Sequence, residues 1–212
     1  GYAEFTNNSN YEQDQVNLQY SQYITQTVFR GNRVRQMIHA NLDRLEEGEN
    51  IDNKNVFNRF FGLAGADVNS WCGDKESFLG RYHGYNNPEG VITGKLSNKG
   101  NYNENSCGAL STVLSLAPGE TKEITFLVGM KGDAEAGEIV EHYKNCQDVC
   151  KRELEELIEY WHGQLSHFQI RTPSPEFNTM INTWNAYNCF MTFIWSRAAS
   201  SVSYTHLTLP TT

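Results

Sequence analysis

Apolar residues recur at helical spacing in the last third of the chain. From Ile139 to Phe168 they are three or four positions apart, which predicts one long helix. From Glu176 to Ser201 a second apolar stripe predicts another helix, with further aromatic residues lying off the stripe. Because a helix that is apolar around much of its circumference must be surrounded by protein, we expect this helix to belong to a helical domain. The stripe consists of Phe177, Ile181, Trp184, Tyr187, Met191, Ile194 and Ala198.

The segment Thr172-Pro173-Ser174-Pro175 separates the two predicted helices. Proline removes a helical hydrogen bond, so the first helix should end here, and proline suits the first turn of a new helix. We therefore expect the second helix to begin around Glu176, with Ser174 or Pro175 at its start.

Residues 1–130 have a pattern typical of strands rather than helices. The runs 23–30 and 33–41 flank Gly31-Asn32, a residue pair that favours a tight hairpin turn. A further short strand is predicted at 53–61, and residues 63–69 read as an irregular connection.

A second hairpin is predicted near the end of this region. The runs 110–116 and 122–129 flank Ala117-Pro118-Gly119-Glu120, where Pro-Gly favours a type II turn. Residues 71–107, rich in Gly and Asn, read as loops. Strands at short intervals without intervening helices favour a β-sandwich over an α/β sheet.

The chain thus divides into a β-sandwich at 1–130, a helical linker at 131–171 and the first helix of a further domain at 172–201. Residues 202–212, VSYTHLTLPTT, contain no Lys, Arg, Asp or Glu and continue no earlier pattern. They resemble the read-through translation of a sequencing adapter, and we exclude them from functional reasoning. We expect the chain to be a fragment of a longer protein.

The charge of the chain argues against nucleic acid and membrane as partners. The formal net charge is -8, and most of the acidic excess lies between Asp133 and His162. No basic stripe or juxtamembrane basic cluster is present, and no apolar run reaches the roughly 18 residues of a membrane span. The five cysteines are odd in number and irregularly spaced, which favours reduced thiols in a cytoplasmic protein.

Three sets of residues are candidates for chemistry. His142, Cys146 and Cys150 share one helix face and resemble metal ligands, although a packed helix face explains them better. Arg197 near the end of the second helix needs an anionic or hydrogen-bonding partner. A phosphate or sugar hydroxyls would serve, and the alternative is that Arg197 bonds to helix C-terminal carbonyls or to a structural acid. An aromatic and polar loop is of the kind that stacks on sugar rings, the alternative being a loop packed by its own aromatics. Its candidate residues are Arg81, Tyr82, His83, Tyr85 and Asn86.

Together these stretches resemble glycoside hydrolase family 94, the cellobiose, cellodextrin and chitobiose phosphorylases and their relatives. The resemblance covers nearly all of residues 1–201, and its last segment is the most specific. The carrying segments are DQVNLQY (14–20), KESFLGRYHGYNNPEGV (75–91), LAPGETKEITFLVG (116–129) and NTWNAYNCFMTFIWSRAAS (182–200).

The resemblance implies a supersandwich-like β-sandwich, a helical linker and an (α/α)6-barrel catalytic domain, of which this chain holds the first helix. It implies inverting phosphorolysis of a β-glucosidic bond to an α-sugar 1-phosphate, with inorganic phosphate as co-substrate and no cofactor. The general acid, an Asp, is expected beyond the residues present here, so we expect this fragment to be inactive. A β-linked oligosaccharide, a homodimeric parent and a cytoplasmic location are also implied.

Two candidate sites of this chain match positions of the family. Arg197 is expected at the edge of the active-site cleft, and the loop from Arg81 to Asn87 is expected to approach the cleft of a neighbouring subunit. The family commonly has Arg where this chain has His83. Two alternatives stay open: a non-catalytic carbohydrate-binding β-sandwich with a helical stalk, and a related glucan hydrolase or transferase.

Overall fold

The computed structural model describes residues 1–7, 11–38 and 58–196. The chain forms two compact units, Gly1–Cys150 and Lys151–Thr212, and the division between them falls inside the segment predicted as a linker.

The first unit is built on two antiparallel sheets. One has the strand order β1-β6-β5 and the other the order β2-β3-β4-β7. The two sheets fit the β-sandwich that the sequence predicts. The strands are β1 (Tyr2–Glu4), β2 (Thr25–Arg30), β3 (Arg33–Ile38), β4 (Arg59–Ala64), β5 (Ser70–Asp74), β6 (Ser106–Ser111) and β7 (Thr125–Met130).

Among the described residues of the first unit, buried apolar side chains pack in three clusters. The cluster between the sheets contains Phe61 of β4, Val34 of β3 and Leu110 of β6, all almost fully buried. Phe60, the neighbour of Phe61, points to the opposite face of its sheet and packs there against Ala136. Because successive strand residues face opposite sides, β4, which is buried from Phe60 to Ala64, contributes to both layers.

The hairpin predicted around Gly31-Asn32 is confirmed, with β2 and β3 paired along their full lengths. Both turn residues have positive φ, +52° for Gly31 and +59° for Asn32, as a two-residue hairpin of this hand requires. The Asn32 side chain also donates to the carbonyl of Ala66 and accepts from the N–H of Val68, both at 3.2 Å. Residues 39–41 of the predicted second strand lie outside the described residues.

The second predicted hairpin is wrong. The turn itself exists, with Gly119 at φ +82° and the N–H of Glu120 donating to the carbonyl of Ala117 at 2.9 Å. The strands on either side, however, lie in different sheets: β6 pairs with β1 and β5, whereas β7 pairs with β4. The connection crosses between the two layers because each strand finds its partner far along the chain.

The expectation of a region without helices is also wrong. Helices α1 (Tyr11–Ser21), α2 (Lys75–Leu79) and α3 (Glu89–Ile92) lie between strands. The sequence does not predict α1, because apolar residues do not recur on one face of this helix. The strand expected at 53–61 begins only at Arg59 within the described residues, and 53–57 lie outside them. Residues 71–74 belong to β5 rather than to a loop.

The predicted long linker helix is interrupted. Helix α4 (Asp133–His142) is followed by a 3-10 turn (Tyr143–Asn145) and then by α5 (Cys146–Ser166). Helix α4 packs on the outer face of the sheet β2-β3-β4-β7, where Ala136 and Val140 are buried. His142 and Cys150 therefore lie on two different helices, not on the one continuous face that the metal hypothesis required.

The second unit contains the helix predicted after the Thr-Pro-Ser-Pro segment. Ser174 caps its start by accepting from the N–H of Phe177 at 3.3 Å, and Pro175 occupies the first turn, as expected. The backbone stays right-handed helical at every junction but includes two π-helical segments, which the apolar stripe did not predict. The segments are α6 (Pro175–Thr179), a π segment (Met180–Asn185), α7 (Ala186–Met191) and a second π segment (Thr192–Ser196).

Two asparagines hold the segment before this helix against its side. Asn182 accepts from the N–H of Ile170 at 2.8 Å and donates to the carbonyl of Ile170 at 2.9 Å. Asn178, one turn earlier, makes the same pair of bonds to Thr172, at 2.8 and 2.9 Å. We call these four bonds the asparagine clamp. Within the described residues, no helix combines the length and apolar character that crossing a membrane requires.

Candidate functional site

The candidate sugar-contacting loop, residues 81–87, connects α2 to α3, and all its residues are exposed. The helix that precedes the loop packs into the core: Phe78 of α2 is buried and stacks on Tyr2 of β1 with ring centroids 4.4 Å apart. Gly80 ends α2 with φ +84°, a conformation that disfavours any residue with a Cβ. The loop therefore leaves the sandwich from a fixed point.

Hydrogen bonds within the loop give it a defined shape. The N–H of His83 donates to the carbonyl of Gly80 at 3.3 Å, and the N–H of Asn87 donates to the carbonyl of Gly84 at 3.0 Å. The Asn87 side chain accepts from the N–H of Gly84 at 3.3 Å. His83 Nδ1 lies 3.0 Å from the carbonyl oxygen of Asn87, which accepts, so Nδ1 carries the proton.

Glu4, at the end of β1, ties the loop to the sheet. Its carboxylate accepts a hydrogen bond from the Tyr85 hydroxyl and a second from the Tyr2 hydroxyl at 2.9 Å. Lys75 Nζ lies 3.4 Å from the same carboxylate and 5.2 Å from the centroid of the Tyr85 ring. Tyr85 is thereby held at both its hydroxyl and one face of its ring.

The electrostatics of this group keep Glu4 ionised. Burial alone raises the pKa of Glu4, but the hydrogen bonds from Tyr85 and Tyr2 and the charge of Lys75 outweigh it, and the pKa lies below its usual value. Burial lowers the pKa of Lys75, while its contacts with Tyr85 and Glu4 raise it more, so the net shift is upward. A carboxylate and an ammonium thus face each other at neutral pH.

Three of the other predicted loop residues are exposed to solvent. Tyr82 is 97% exposed and has φ +69°. Arg81 and Asn86 are likewise exposed. The structure therefore brings Tyr85 into contact with the sandwich and leaves Arg81, Tyr82 and Asn86 open to solvent.

Arg197, the other predicted site residue, lies outside the described residues, as does the segment 202–212. Among residues 1–7, 11–38 and 58–196, no three His, Cys, Asp or Glu side chains are grouped so as to hold a metal ion. Within the same ranges Cys72, Cys107, Cys150 and Cys189 are free thiols.

Two cavities of the first unit suit a sugar poorly. One of about 680 Å³ has the volume of a ligand pocket, but side chains such as Phe78, Leu110 and Phe126 make its lining mainly apolar. Another, beside Glu4 and Lys75, is polar but holds only about 20 Å³. A third, of about 500 Å³, has a more polar lining that includes Asp67, Lys122 and Glu141. The sequence marks none of these residues as candidates, so the exposed loop remains the candidate site of this unit.

The sequence indicated the loop as a candidate but not Glu4 and Lys75, the residues that hold it against the sheet. The aromatic and polar composition of 81–87 marks it directly in the sequence. Glu4 and Lys75 carry no such mark, because a single acid and a single base become a pair only when β1 docks beside β6. The local hint is that Lys75 is the first residue of α2, the helix that leads into the loop.

The structure places the chain in a class of proteins in which a β-sandwich with an exposed aromatic and polar loop is followed by helices. Comparison with known families identifies the family. Residues 1–146 match the family model described as "Glycosyl hydrolase 94, supersandwich domain". Residues 160–208 match "Glycosyl hydrolase 94 superfamily, catalytic domain". The chain belongs to the glycosyl hydrolase 94 family.

Curated relatives agree with this family. The chain is 29% identical over 196 residues to the N,N'-diacetylchitobiose phosphorylase of Vibrio proteolyticus, covering 92% of this chain and 23% of that protein. It is 29% identical over 203 residues to the enzyme of the same name from Vibrio furnissii, covering 95% of this chain and 24% of the relative. A third relative, the cyclic beta-(1,2)-glucan synthase NdvB of Rhizobium meliloti, is 28% identical over 142 residues, 66% of this chain and 5% of that protein.

The chain therefore spans about a quarter of the length of the two phosphorylases. The catalytic-domain match also runs past Ser201 to residue 208, into the segment that resembles a translated adapter.

Proposed function

We propose that this chain is part of an inverting phosphorylase that cleaves a β-linked disaccharide or oligosaccharide with phosphate and releases an α-sugar 1-phosphate. The observation that supports it most is the pair of family matches, sandwich then catalytic domain, together with the likeness to two relatives named phosphorylases. The helix at 175–196 would then form the first wall of an (α/α)6 barrel.

The proposed reaction needs one protein acid and no cofactor. A phosphate oxygen attacks the anomeric carbon from the face opposite the glycosidic bond while an Asp protonates the leaving oxygen, which inverts the configuration. Phosphate takes the place of the water that an inverting hydrolase activates. We propose that this Asp lies in the part of the parent that residues 1–201 do not cover, and that Arg197 lies at the edge of the cleft.

The exposed apolar side chains of the second unit are consistent with a missing barrel. Phe177, Met180 and Trp184 are 49%, 62% and 57% exposed along the helix. Neighbouring helices of a barrel would cover such residues, because large exposed apolar patches are uncommon on isolated soluble proteins.

A test of the function compares this chain with a longer product of the same gene. We expect the longer protein to release sugar 1-phosphate from cellobiose or N,N'-diacetylchitobiose only when phosphate is present, and chain 1–212 to release none. Cleavage by the longer protein without phosphate would contradict phosphorolysis. Turnover by pure chain 1–212 would contradict the absence of the acid.

Glucan transfer is the second candidate, and the likeness to the cyclic glucan synthase favours it over a purely binding role. It predicts that the longer protein extends or cyclises β-glucan chains and forms no sugar 1-phosphate. The non-catalytic alternative instead predicts that residues 1–130 bind sugar and that neither activity occurs.

A further inference from the structure

We infer that the apolar cavity of about 680 Å³ in the first unit is a docking groove for an extended apolar strand, which continues the line of β1 along the edge of β6. The occupant is the segment that precedes Gly1 in the longer protein. The chain spans about a quarter of the length of the two phosphorylases, so we expect the parent to supply such a segment. The inference concerns how the sandwich is completed and does not depend on the proposed reaction.

The cavity lies where β1 begins, and its apolar lining comes from both sides of that strand. On one side are Ile124, which packs against the cluster between the sheets, and Phe126. On the other side are Phe78 and Leu96, which form a second cluster with Tyr2. Because successive strand residues point to opposite sides, an apolar strand through the cavity would bury side chains on both of its faces.

The backbone of β6 offers the hydrogen bonds that such a strand needs. The Gly1 ammonium donates to the carbonyl of Leu110 at 2.9 Å, and the N–H of Leu110 donates to the carbonyl of Gly1 at 3.0 Å. In an antiparallel ladder such pairs recur at every second residue, so the next pair falls at Thr112. Among the described residues, no backbone group bonds to the N–H or carbonyl of Thr112. A residue two positions before Gly1 would exchange both bonds with Thr112.

The surroundings of Gly1 favour a segment joined to it over a separate peptide or a second copy of the chain. A Cβ placed on Gly1 would lie 2.6 Å from the ring of Phe126 and 2.9 Å from that of Phe61, so β1 is tightly packed at this point. Burial also lowers the pKa of the Gly1 ammonium, because it disfavours the charged form. A separate strand would have to end against this half-buried charge, whereas a peptide N–H makes the same bond to Leu110 without it.

The alternation of side chains specifies the occupant further. The residue directly before Gly1 would point to the same side as Tyr2, towards Val91, which is 66% exposed. The residue before that would point to the opposite side, towards Phe126, which is 41% exposed. Both positions should therefore be apolar. The gene sequence upstream of the Gly1 codon checks this directly, and a charged residue at either position would contradict the inference.

The decisive experiment adds the native residues that precede Gly1, about ten of them to allow for a whole strand, and measures hydrogen exchange of the Thr112 amide. We expect exchange about tenfold slower or more than in chain 1–212, because the N–H gains a partner. A Gly/Ser extension of the same length is the control and should leave the rate unchanged. Equal rates with and without the native extension, or equal protection by both extensions, would overturn the inference. So would protection in chain 1–212 that grows with concentration, since a second copy would then fill the groove.

Two pairs of variants test whether the effect arises in the groove. Thr112→Pro removes the N–H that the added strand needs, whereas Thr112→Val keeps it and loses only the hydroxyl bond to the carbonyl of Asp67. Val91→Asp places a charge in the cavity lining, whereas Ile92→Asp places it on an equally exposed neighbour in α3 that does not line the cavity.

The native extension should raise the urea midpoint of the wild type, Thr112→Val and Ile92→Asp, and should fail to raise it in Thr112→Pro and Val91→Asp. An equal rise in every variant would refute the groove as the docking site. If Thr112→Pro does not fold, the comparison of Val91→Asp with Ile92→Asp decides by itself. Phosphorolysis by the longer protein leaves these outcomes unaffected, so the proposed function and this inference can fail separately.

Discussion

Asp133, the first residue of α4, receives arginine side chains from the β2–β3 hairpin. Arg33 lies 2.5 Å and Arg35 3.2 Å from its carboxylate, and Arg30 also pairs with it. Burial raises the pKa of Asp133. Hydrogen bonds from Arg33 and Arg30 and the charge of Arg35 lower the pKa by more than burial raises it, so the net shift is downward. One carboxylate thereby joins the helix to the sheet beneath it.

Replacing this carboxylate should destabilise the first unit. Asp133→Asn leaves the buried guanidinium of Arg35, whose side chain is 1% exposed, without the carboxylate charge that Asp133 supplies. We expect the free energy of unfolding to fall by about 3 kcal/mol, measured by urea denaturation. Glu135→Gln, which removes the exposed pair with Lys131, is the matched control and should change it by about 0.5 kcal/mol or less. Equal losses in the two variants would contradict the assigned role of Asp133.

The same residue gives a pH dependence with a definite sign. Because the folded pKa of Asp133 is lowered, its contribution is fully present above the unfolded value of about 4 and is lost as pH falls through the folded pKa. The stability difference between wild type and Asp133→Asn should therefore narrow as pH falls from 5 towards 2. A difference that stays constant, followed by urea midpoints across this range, would contradict the shift.

At the scale of elements, the asparagine clamp explains why polar residues interrupt an apolar helix. Asn178 and Asn182 are one helical turn apart and bind alternate residues, Thr172 and Ile170, of an extended segment. Each amide satisfies one backbone N–H and one carbonyl, as a neighbouring strand would. The segment between α5 and α6 is thereby fixed along the helix.

Removing one half of the clamp should loosen this segment. In Asn182→Ala the N–H and carbonyl of Ile170 lose the side chain to which they are hydrogen-bonded. We expect the free energy of unfolding to fall by about 1–2 kcal/mol. Hydrogen exchange at the Ile170 amide should accelerate accordingly, while Asn188→Ala, at an exposed position of α7, should leave it unchanged. Protection of Ile170 that survives Asn182→Ala would show that the clamp is dispensable.

For the whole molecule, the apolar surface of the second unit governs solution behaviour. Residues of α5 such as Leu154 and Leu157 are 57% and 52% exposed, in addition to the helix at 175–196. An apolar surface of this kind promotes self-association unless another element covers it. The parent's barrel is the cover that we propose.

This surface should bind a hydrophobic dye and drive aggregation of chain 1–212. The double variant Phe177→Lys and Met180→Lys should reduce dye fluorescence and aggregation by light scattering. Asn185→Lys with Asn188→Lys adds the same charge without removing apolar surface and is the control. A wild-type chain that is a stable monomer and binds no dye would argue against an uncovered face.

Local signals predicted the local features of this fold. Gly31-Asn32 specifies its turn through its own φ angles, and Ser174-Pro175 specifies a helix start, so both were predictable. The turn at Gly119 was also predictable from its residues. A turn does not determine which strands pair, however, and the predicted hairpin is wrong because β6 and β7 pair with distant strands.

The candidate site divides in the same way. Composition singled out the loop at 81–87 as a candidate, but left open whether it contacts sugar or is packed by its own aromatics. The hydrogen bond from Tyr85 to Glu4 was not predictable, because the two residues are 81 positions apart in the sequence. The π-helical segments were also not readable, since the apolar stripe was interpreted with a period of 3.6 residues.

The pairing of β1 with β6 has a consequence for the order of folding. The Gly1 ammonium donates to the carbonyl of Leu110 at 2.9 Å, and these residues are 109 positions apart, whereas the β2–β3 hairpin closes across two residues. Closing the longer loop has an entropic penalty about 3 kcal/mol greater, so the pairing of β1 with β6 should form last. Pulsed hydrogen exchange during refolding should protect the amide of Arg33, which closes the hairpin opposite Arg30, before that of Leu110, which donates to the carbonyl of Gly1 at 3.0 Å. The bond from Tyr85 to Glu4 can form only after that final closure.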